Sequence, residues 1–208
     1  MWDQATTKLS GGPHGLDPAL VQRIQRERVL DAMTHVVAEL GYQSTTVTKV
    51  LDRAQISKLT FYELFDNKEQ CFLTAYDDAM AHAFERIEEA CAAEQLGPPQ
   101  QRLGAGIDAL LEFFAEEPAV ARLCVLEVLA AGPAGRERRA ATMDRLAAMM
   151  EALLAEVSPD GDLGPIVARA LVGGAEDIVY GAVDRGQIAE LPKLAEQIVA
   201  MQLKLINA

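Results

Sequence analysis

Apolar residues recur along most of the chain at the three- and four-residue spacing of amphipathic helices. The clearest apolar stripe precedes Gly41, a residue that favours the end of a helix, and consists of Val29, Ala32, Met33, Val36, Val37 and Leu40. No segment has the alternating pattern of a strand bounded by hairpin turns. The pattern predicts an all-α protein with about nine helices.

Capping residues predict where the first helices begin. Asp17 before a proline predicts the start of the first helix. Thr46 is predicted to cap a short second helix that ends at residue 54, and Ser57 a third that ends at residue 64 or 65. Asp66 and Glu69 have the spacing of a capping box and predict a long fourth helix that continues to about residue 91.

Proline and glycine clusters predict the later boundaries. Breaks are expected at 97–99, 132–133, 158–161 and 186, which leaves helices over about 100–115, 118–131, 136–157, 165–184 and 192–206. Residues 1–16 contain several glycines and no periodicity, so we predict a flexible N-terminal arm.

The second and third predicted helices, with the tight turn between them, have the dimensions of a helix-turn-helix. In that motif the N-terminal end of the second helix reaches base edges in the major groove, and here that end is Ser57–Tyr62. Thr46 can offer its hydroxyl and backbone N–H to phosphate. Phe61 and Phe65, one helical turn apart, are expected to face inward and anchor the reading helix.

This N-terminal stretch resembles the signature of the TetR family of bacterial transcriptional repressors. The resemblance covers roughly residues 24–72 and is carried by Arg28–Ala32, Glu39–Tyr42, Thr45–Val47, Ala54–Ser57, Thr60–Tyr62, Phe65 and Lys68–Glu69. It implies a homodimer with an N-terminal DNA-binding domain and a C-terminal domain for ligand binding and dimerisation. It also implies sequence-specific repression at a palindromic double-stranded DNA operator, with release by a small effector.

The resemblance further implies which side chains contact DNA. Tyr62 and Lys68 would bind phosphate, and Lys58, Leu59 and Thr60 would read base edges. The full set of expected DNA-binding residues is Thr46, Ser57, Lys58, Leu59, Thr60, Tyr62 and Lys68.

Three positions depart from the family pattern. Leu51 replaces a small residue, Gln55 replaces the usual turn glycine, and Leu64 replaces a common histidine. If the turn keeps a positive φ, glutamine there costs on the order of 1 kcal/mol.

The charge distribution agrees with DNA contact at one end only. The 208-residue chain has a net charge of −12, which taken alone argues against a nucleic-acid partner. Residues 17–66 carry a net charge of only −1, however, and residues 67–208 carry −11. We therefore predict a DNA-binding domain over 17–66 and an acidic body over 67–208.

Family resemblance implies an effector pocket within the acidic body. Its apolar, methionine-rich helices predict a mostly hydrophobic small molecule with one polar anchor, such as Glu127 or Asp177. The candidate ligand-binding residues are Phe84, Leu110, Phe113, Phe114, Glu127, Met143 and Asp177.

The last two helices carry apolar stripes that fit a four-helix dimer interface, as the family implies. Two adjacent glycines would permit close helix approach. The candidate interface residues are Ile166, Ala170, Gly173, Gly174, Ile178, Leu194, Ile198, Met201 and Leu205.

Other classes of function have less support in the sequence. Three scattered histidines and three isolated cysteines form no metal, disulfide or nucleophile motif, so no cofactor, no metal and no enzymatic activity are expected, and a helical metalloenzyme is disfavoured. A ligand-independent architectural DNA-binding protein of the same fold remains an alternative. No apolar run is long enough to span a bilayer and no signal peptide is present, so a cytoplasmic protein is expected.

Overall fold

Nine helices account for almost all regular structure in residues 17–157 and 164–206, the part of the chain that this computed structural model describes. A 3-10 turn over Ile188–Glu190 precedes the last helix. The helices are α1 (Pro18–Leu40), α2 (Val47–Ala54), α3 (Lys58–Leu64), α4 (Lys68–Ala93), α5 (Pro99–Glu116), α6 (Pro118–Arg122, continued through Leu123–Glu127 to Val128–Ala130), α7 (Gly132–Val157), α8 (Pro165–Asp184) and α9 (Leu191–Ile206). The predicted N-terminal arm and the turn at 158–161 lie outside the described residues.

The first three helices confirm the boundaries expected from their caps. Asp17 accepts a hydrogen bond from the Ala19 amide at 3.0 Å, and the chain leaves α1 at Gly41 with a φ of 79°. Thr46 and Ser57 cap α2 and α3 through their side chains. These ends depend on local hydrogen bonds, which is why sequence reasoning located them.

The predicted capping box of α4 is wrong by one residue. The helix is capped by Asn67, whose Oδ1 accepts from the Gln70 amide at 2.8 Å. Gln70 in turn accepts from the Asp66 amide through its side chain. An Asn–Gln pair therefore satisfies the free N–H groups where an Asp66–Glu69 pair was expected.

The middle of the body also differs from prediction. The helix that begins at Pro118 contains a π-helical turn over Leu123–Glu127, which apolar periodicity does not reveal. The break expected at 132–133 lies at Ala131 and Gly132, where φ of Gly132 is 82°, but α7 begins at Gly132 rather than at residue 136. Proline at the second position of α7 costs no intrahelical hydrogen bond. A Cβ on Gly135 would collide with the Val128 carbonyl, so α6 and α7 meet closely there.

One core cluster joins the N-terminal helices to the body. It runs from Val29 and Phe61 through Phe72 and Leu123 to Ile198. A smaller cluster contains Leu103, Met150, Leu154, Ala168, Leu171 and Val172. Among the described residues no helix is both long and apolar enough to cross a membrane.

Candidate nucleic-acid interface and internal cavity

Short helix α3 is held by a cap at one end and by buried aromatic rings on one side. Ser57 Oγ accepts from the Thr60 amide at 3.0 Å and lies 2.9 Å from Thr60 Oγ1. Phe61 is fully buried, and its ring lies 5.7 Å from that of Phe65. A seven-residue helix has little stability alone, so these contacts fix its position.

The opposite side of α3 is exposed. Leu59 is 71% exposed and Tyr62 48%, and the Lys58 ammonium lies 5.9 Å from the centre of the Tyr62 ring. We call Ser57, Lys58, Leu59, Thr60 and Tyr62 the reading surface. It combines a helix N-terminus, a cation, hydroxyl groups and an apolar side chain, the groups that contact phosphates and base edges.

The two remaining DNA-contact candidates lie at helix starts. Thr46 is exposed and accepts from the Lys49 amide at 3.4 Å. Lys68 is half-buried, and its ammonium donates to the Tyr42 carbonyl at 2.9 Å and the Thr45 carbonyl at 3.1 Å. It also lies 4.1 Å from the centre of the Tyr42 ring, and burial lowers its pKa. Lys68 thus ties the α1–α2 loop to α4, a task that the sequence did not indicate.

The turn between α2 and α3 keeps the left-handed conformation that usually needs glycine. Gln55 has φ 54° and ψ 45°, and no other non-glycine residue in the described segments has a positive φ. The Gln55 side-chain amide donates to the Asp52 carbonyl at 2.6 Å, and Arg28 donates to the Ala54 carbonyl. Surrounding hydrogen bonds hold the strained residue in place.

Replacing Gln55 with glycine should raise the free energy of unfolding by roughly 0.5–1 kcal/mol, because glycine adopts positive φ without a Cβ clash. Urea-unfolding curves monitored by circular dichroism would measure this. A matched Ser44→Gly variant, at an exposed position of the loop before α2 without positive φ, should not be stabilised. Equal or lower stability of Gln55→Gly would contradict strain at this position.

An apolar cavity of about 170 Å³ lies among α4, α5, α6, α7, α8 and α9. Three of the predicted ligand-binding residues line it: Leu110, Phe114 and Met143. Met80, Leu146, Met149 and Met150 add to the apolar lining. The structure therefore brings the methionine-rich stretch of α7 against α4 and α5.

Four other predicted ligand-binding residues do not line this cavity. The Phe84 ring lies 3.8 Å from the Arg145 guanidinium, and the Phe113 ring faces a separate pocket beside α1. Asp177 is exposed, and Glu127 accepts from the Tyr42 amide at 2.7 Å. Helix rotation about the bundle decides which side of each helix meets the cavity, and one sequence does not specify that rotation.

Polar groups in the lining are few and mostly paired. The Tyr76 hydroxyl lies 2.8 Å from Thr142 Oγ1, which itself donates to the Arg138 carbonyl at 3.2 Å. Burial raises the pKa of Tyr76 well above its ordinary value, so the phenol stays neutral. The guanidinium of Arg139 forms an ion pair with Glu176 at 2.5 Å.

Two lining residues keep unpartnered polar atoms. Gln202 is 1% exposed; its amide nitrogen donates to the Leu171 carbonyl at 3.2 Å, while its Oε1 has no partner. Arg102 pairs with Glu156, but its buried Nε also has no partner. Sequence reasoning missed both, although a glutamine one turn after Ile198 in an apolar stripe was a visible signal.

The π-helical turn of α6 lies between this cavity and the helix-turn-helix. Cys124 and Val125 line the cavity, and Glu127 binds the Tyr42 amide. Arg122 Nε donates to the Ala38 carbonyl at 3.0 Å, and Gln43 donates to the Ala130 carbonyl at 2.8 Å. One short segment of α6 therefore contacts both the cavity and the loop between α1 and α2.

Predicted interface residues on α8 form an exposed face. Ile166 is 85% exposed, and Ala170, Gly173 and Gly174 are also exposed. On α9, Leu205 is exposed and Leu194 and Met201 are half-buried, as is Ile178 on α8. Ile198 is buried and lines the cavity, so its place in the predicted interface set is wrong.

No group of three or more His, Cys, Asp or Glu side chains in the described segments is arranged to hold a metal ion. What remains is an all-helical fold with an exposed, capped reading helix at its N-terminal end and an apolar cavity in its body. This combination is typical of helix-turn-helix transcriptional regulators that also bind a small molecule.

Comparison with known proteins finds a family match for the N-terminal helices. Residues 29–75 match the sequence model of bacterial regulatory proteins of the tetR family. The HTH-type transcriptional repressor KstR of Mycolicibacterium smegmatis is 26% identical over 143 residues, which cover 68% of this chain and 66% of KstR. Residues 29–75 thus carry the sequence signature of the TetR family of transcriptional regulators.

Other relatives act in fatty acid metabolism according to their names. The fatty acid metabolism regulator protein of Bacillus subtilis is 34% identical over 62 residues, 30% of this chain and 32% of that protein. The chain thus spans between about a third and two thirds of the length of these curated relatives.

Two solved structures have the same fold. The fatty acid degradation regulator FadR from Bacillus halodurans superposes with a TM-score of 0.77 at 19% identity, covering 86% of this chain and 94% of FadR. FadR from Bacillus subtilis, crystallised with stearoyl-CoA, superposes with a TM-score of 0.75 at 23% identity, covering 85% and 96%.

Proposed function

We propose that this protein is a dimeric repressor that binds a palindromic operator and is released by a small, mostly hydrophobic effector. The observation that carries the proposal is the exposed N-terminal end of α3, where Lys58, Leu59 and Tyr62 point away from the core. The division into a DNA-binding domain over 17–66 and an effector and dimerisation domain over 67–208 belongs to the same proposal. Operator binding implies a cytoplasmic location.

At the operator, Lys58, Leu59 and Thr60 would meet base edges in the major groove, Leu59 through a thymine methyl. Tyr62, Ser57 and Thr46 would bind phosphate and fix the register of the protein on DNA. Lys68 uses two of its three N–H groups on carbonyls, which leaves one for a phosphate.

Randomised duplex DNA selected on the purified protein at fixed salt tests the proposal. We expect enrichment of a palindrome whose half-site centres lie about 34–36 Å apart or a multiple of that. The spacing follows from a two-fold dimer with one reading helix per half-site. Recovery of DNA with no shared sequence would contradict sequence-specific regulation.

Replacing Lys58 with alanine should lower operator affinity about tenfold and relax the preference at one base pair of each half-site. Fluorescence anisotropy with the selected operator and its single-base variants would measure both effects. Lys204→Ala is a matched control, because Lys204 is exposed in the last turn of α9. Equal losses in the two variants would show that Lys58 acts only through general charge.

The dimer would form through the exposed face of α8 and the adjoining face of α9. Ile166, Ala170, Gly173 and Gly174 would meet the same residues of a second copy, since a two-fold interface uses one patch twice. The small residues would let the two α8 helices approach closely.

An apolar effector suits the cavity. Its volume of about 170 Å³ resembles the roughly 150 Å³ cavity that binds benzene in an engineered protein. FadR from Bacillus subtilis was crystallised with stearoyl-CoA, so an acyl chain is one effector class to test. A chain much longer than the cavity would need the helices around it to move apart.

Release from DNA would follow from a shift between two arrangements of the body. An effector that pushes Cys124 and Val125 would displace the π-helical turn, its Glu127 bond to the Tyr42 amide in the α1–α2 loop, and the adjoining Arg122 bond to the Ala38 carbonyl in α1. Tilting of α4 would move Lys68 and the same loop. The shift in operator affinity cannot exceed the effector's differential affinity for the two arrangements.

A further inference from the structure

Only two buried side-chain nitrogen or oxygen atoms in residues 17–157 and 164–206 lack a hydrogen-bond partner: Arg102 Nε and Gln202 Oε1. Both residues line the cavity. Buried polar atoms are rarely left unpaired, because an unpaired one keeps the cost of desolvation without a compensating bond. Two such atoms in residues that line one cavity make this lining the place to test for a polar ligand group.

Both residues neighbour the smaller core cluster: Arg102 precedes Leu103 in the chain, and Gln202 binds the carbonyl of Leu171. Arg102 is in the first turns of α5 and pairs with Glu156 near the end of α7. Gln202 binds the Leu171 carbonyl from the last turns of α9. Leu103, Leu154 and Leu171 all belong to the smaller core cluster, whereas Phe114 and Cys124, which also line the cavity, belong to the main cluster.

The two atoms have opposite hydrogen-bonding character. Arg102 Nε is a donor and needs an acceptor such as a carbonyl oxygen. The Gln202 amide nitrogen already donates to the Leu171 carbonyl, which leaves Oε1 as the acceptor of this side chain that has no partner. Oε1 therefore needs an O–H or N–H group.

The local charge favours a neutral ligand group. Glu156 balances the Arg102 guanidinium, and Glu176 balances Arg139. An ionised carboxylate would bring an uncompensated charge into an apolar cavity and would face the acceptor Oε1 without a proton to donate. An ester lacks the donor altogether.

We propose that the effector carries a neutral head group with both a hydrogen-bond acceptor and a donor, such as a carboxamide. The head group binds between Arg102 and Gln202, and the apolar part of the effector extends toward Phe114 and Cys124. This inference rests on the proposed role of the cavity as the effector site. Arg102 and Gln202 would then select the head group of the effector, and the apolar lining would select the size of its apolar part.

Eight-carbon probes that differ only in the head group test the proposal: octanamide, methyl octanoate and octanoate. Isothermal titration calorimetry of the full chain without DNA should show that octanamide binds at least about tenfold more tightly than methyl octanoate or octanoate. Gln202→Leu should remove most of the preference over the ester while leaving ester affinity within about twofold. Arg102→Lys, which keeps the charge beside Glu156 but lacks Nε, should weaken octanamide and ester alike.

Met143→Leu is the matched control, because it changes an apolar lining residue and should alter all three affinities by the same factor. Thermal unfolding of each variant establishes that it is folded. Equal affinity of wild-type protein for the three probes, or no binding of any, would overturn the proposal. Operator selection is measured separately, so a protein that selects a palindrome but fails this titration loses only the head-group inference.

Discussion

Replacing Phe61 with alanine should reduce operator affinity by about a hundredfold or more and destabilise the protein by about 3–5 kcal/mol. Phe61 is fully buried and is the only residue of α3 classed as buried. Without its ring, the seven-residue helix loses the packing that holds it, because so short a helix is marginal by itself. Anisotropy with labelled operator and urea unfolding would measure the two effects.

Phe84→Ala is the control for Phe61→Ala. Phe84 is almost as buried, and it lies 16 residues beyond Lys68 on α4, about 24 Å along the helix. We expect a similar loss of stability, but operator affinity within about threefold of wild type at temperatures where both variants are folded. Parallel losses of operator affinity in both variants would mean that overall stability, rather than the position of α3, governs DNA binding.

Replacing Gly173 with leucine should convert the proposed dimer to monomers and lower operator affinity by a hundredfold or more, because two linked half-site contacts become one. A Cβ at Gly173 meets no atom of residues 17–157 and 164–206 within 4 Å, so we expect the fold of the monomer to tolerate the change. Leucine also favours a helix interior by about 0.8 kcal/mol over glycine. Loss of operator binding in a folded, slightly stabilised chain would therefore locate the interface.

Gly104→Leu provides the matched control, since Gly104 lies within α5, outside the cavity lining, and a Cβ there likewise meets no atom of the described segments within 4 Å. Analytical ultracentrifugation should find Gly104→Leu dimeric and Gly173→Leu monomeric. A Gly173→Leu protein that stays dimeric and binds operator at wild-type strength would place the interface elsewhere.

Prediction from the sequence succeeded where local interactions decide the structure. Thr46 and Ser57 cap α2 and α3 because each side chain bonds an amide three residues later. Gln55 keeps the positive φ of the family turn, since hydrogen bonds around the turn outweigh its local strain. The motif could thus be recognised without knowing what packs behind it.

Prediction failed where two interactions of similar strength compete. At the start of α4 both Asp66 and Asn67 can act as caps, and the side chain of Gln70 favours the later one. The π-helical turn of α6 widens a helix whose apolar spacing is ordinary, so nothing in the periodicity distinguishes it.

For the cavity, the sequence indicated that apolar residues of the body would line it, but not which of these residues face it. Leu110, Phe114 and Met143 line it, while Phe113, adjacent to Phe114, faces α1 instead. Residues 100° apart on a helix face different neighbours, and only the packed bundle decides which neighbour is a cavity. Ile198 was assigned to the dimer face for the same reason and lies in the core.

The helix-turn-helix was therefore determined by the sequence alone, because its caps, turn and aromatic anchors lie within 20 residues of one another. The tertiary structure alone decided that Lys68 ties the α1–α2 loop to α4, and that Glu127 reaches the amide of Tyr42, 85 residues away in the chain. It alone brought the unpaired atoms of Arg102 and Gln202 into one cavity. Contacts between distant segments depend on how whole helices rotate and pack, and the periodicity of a single helix carries no information about its partner.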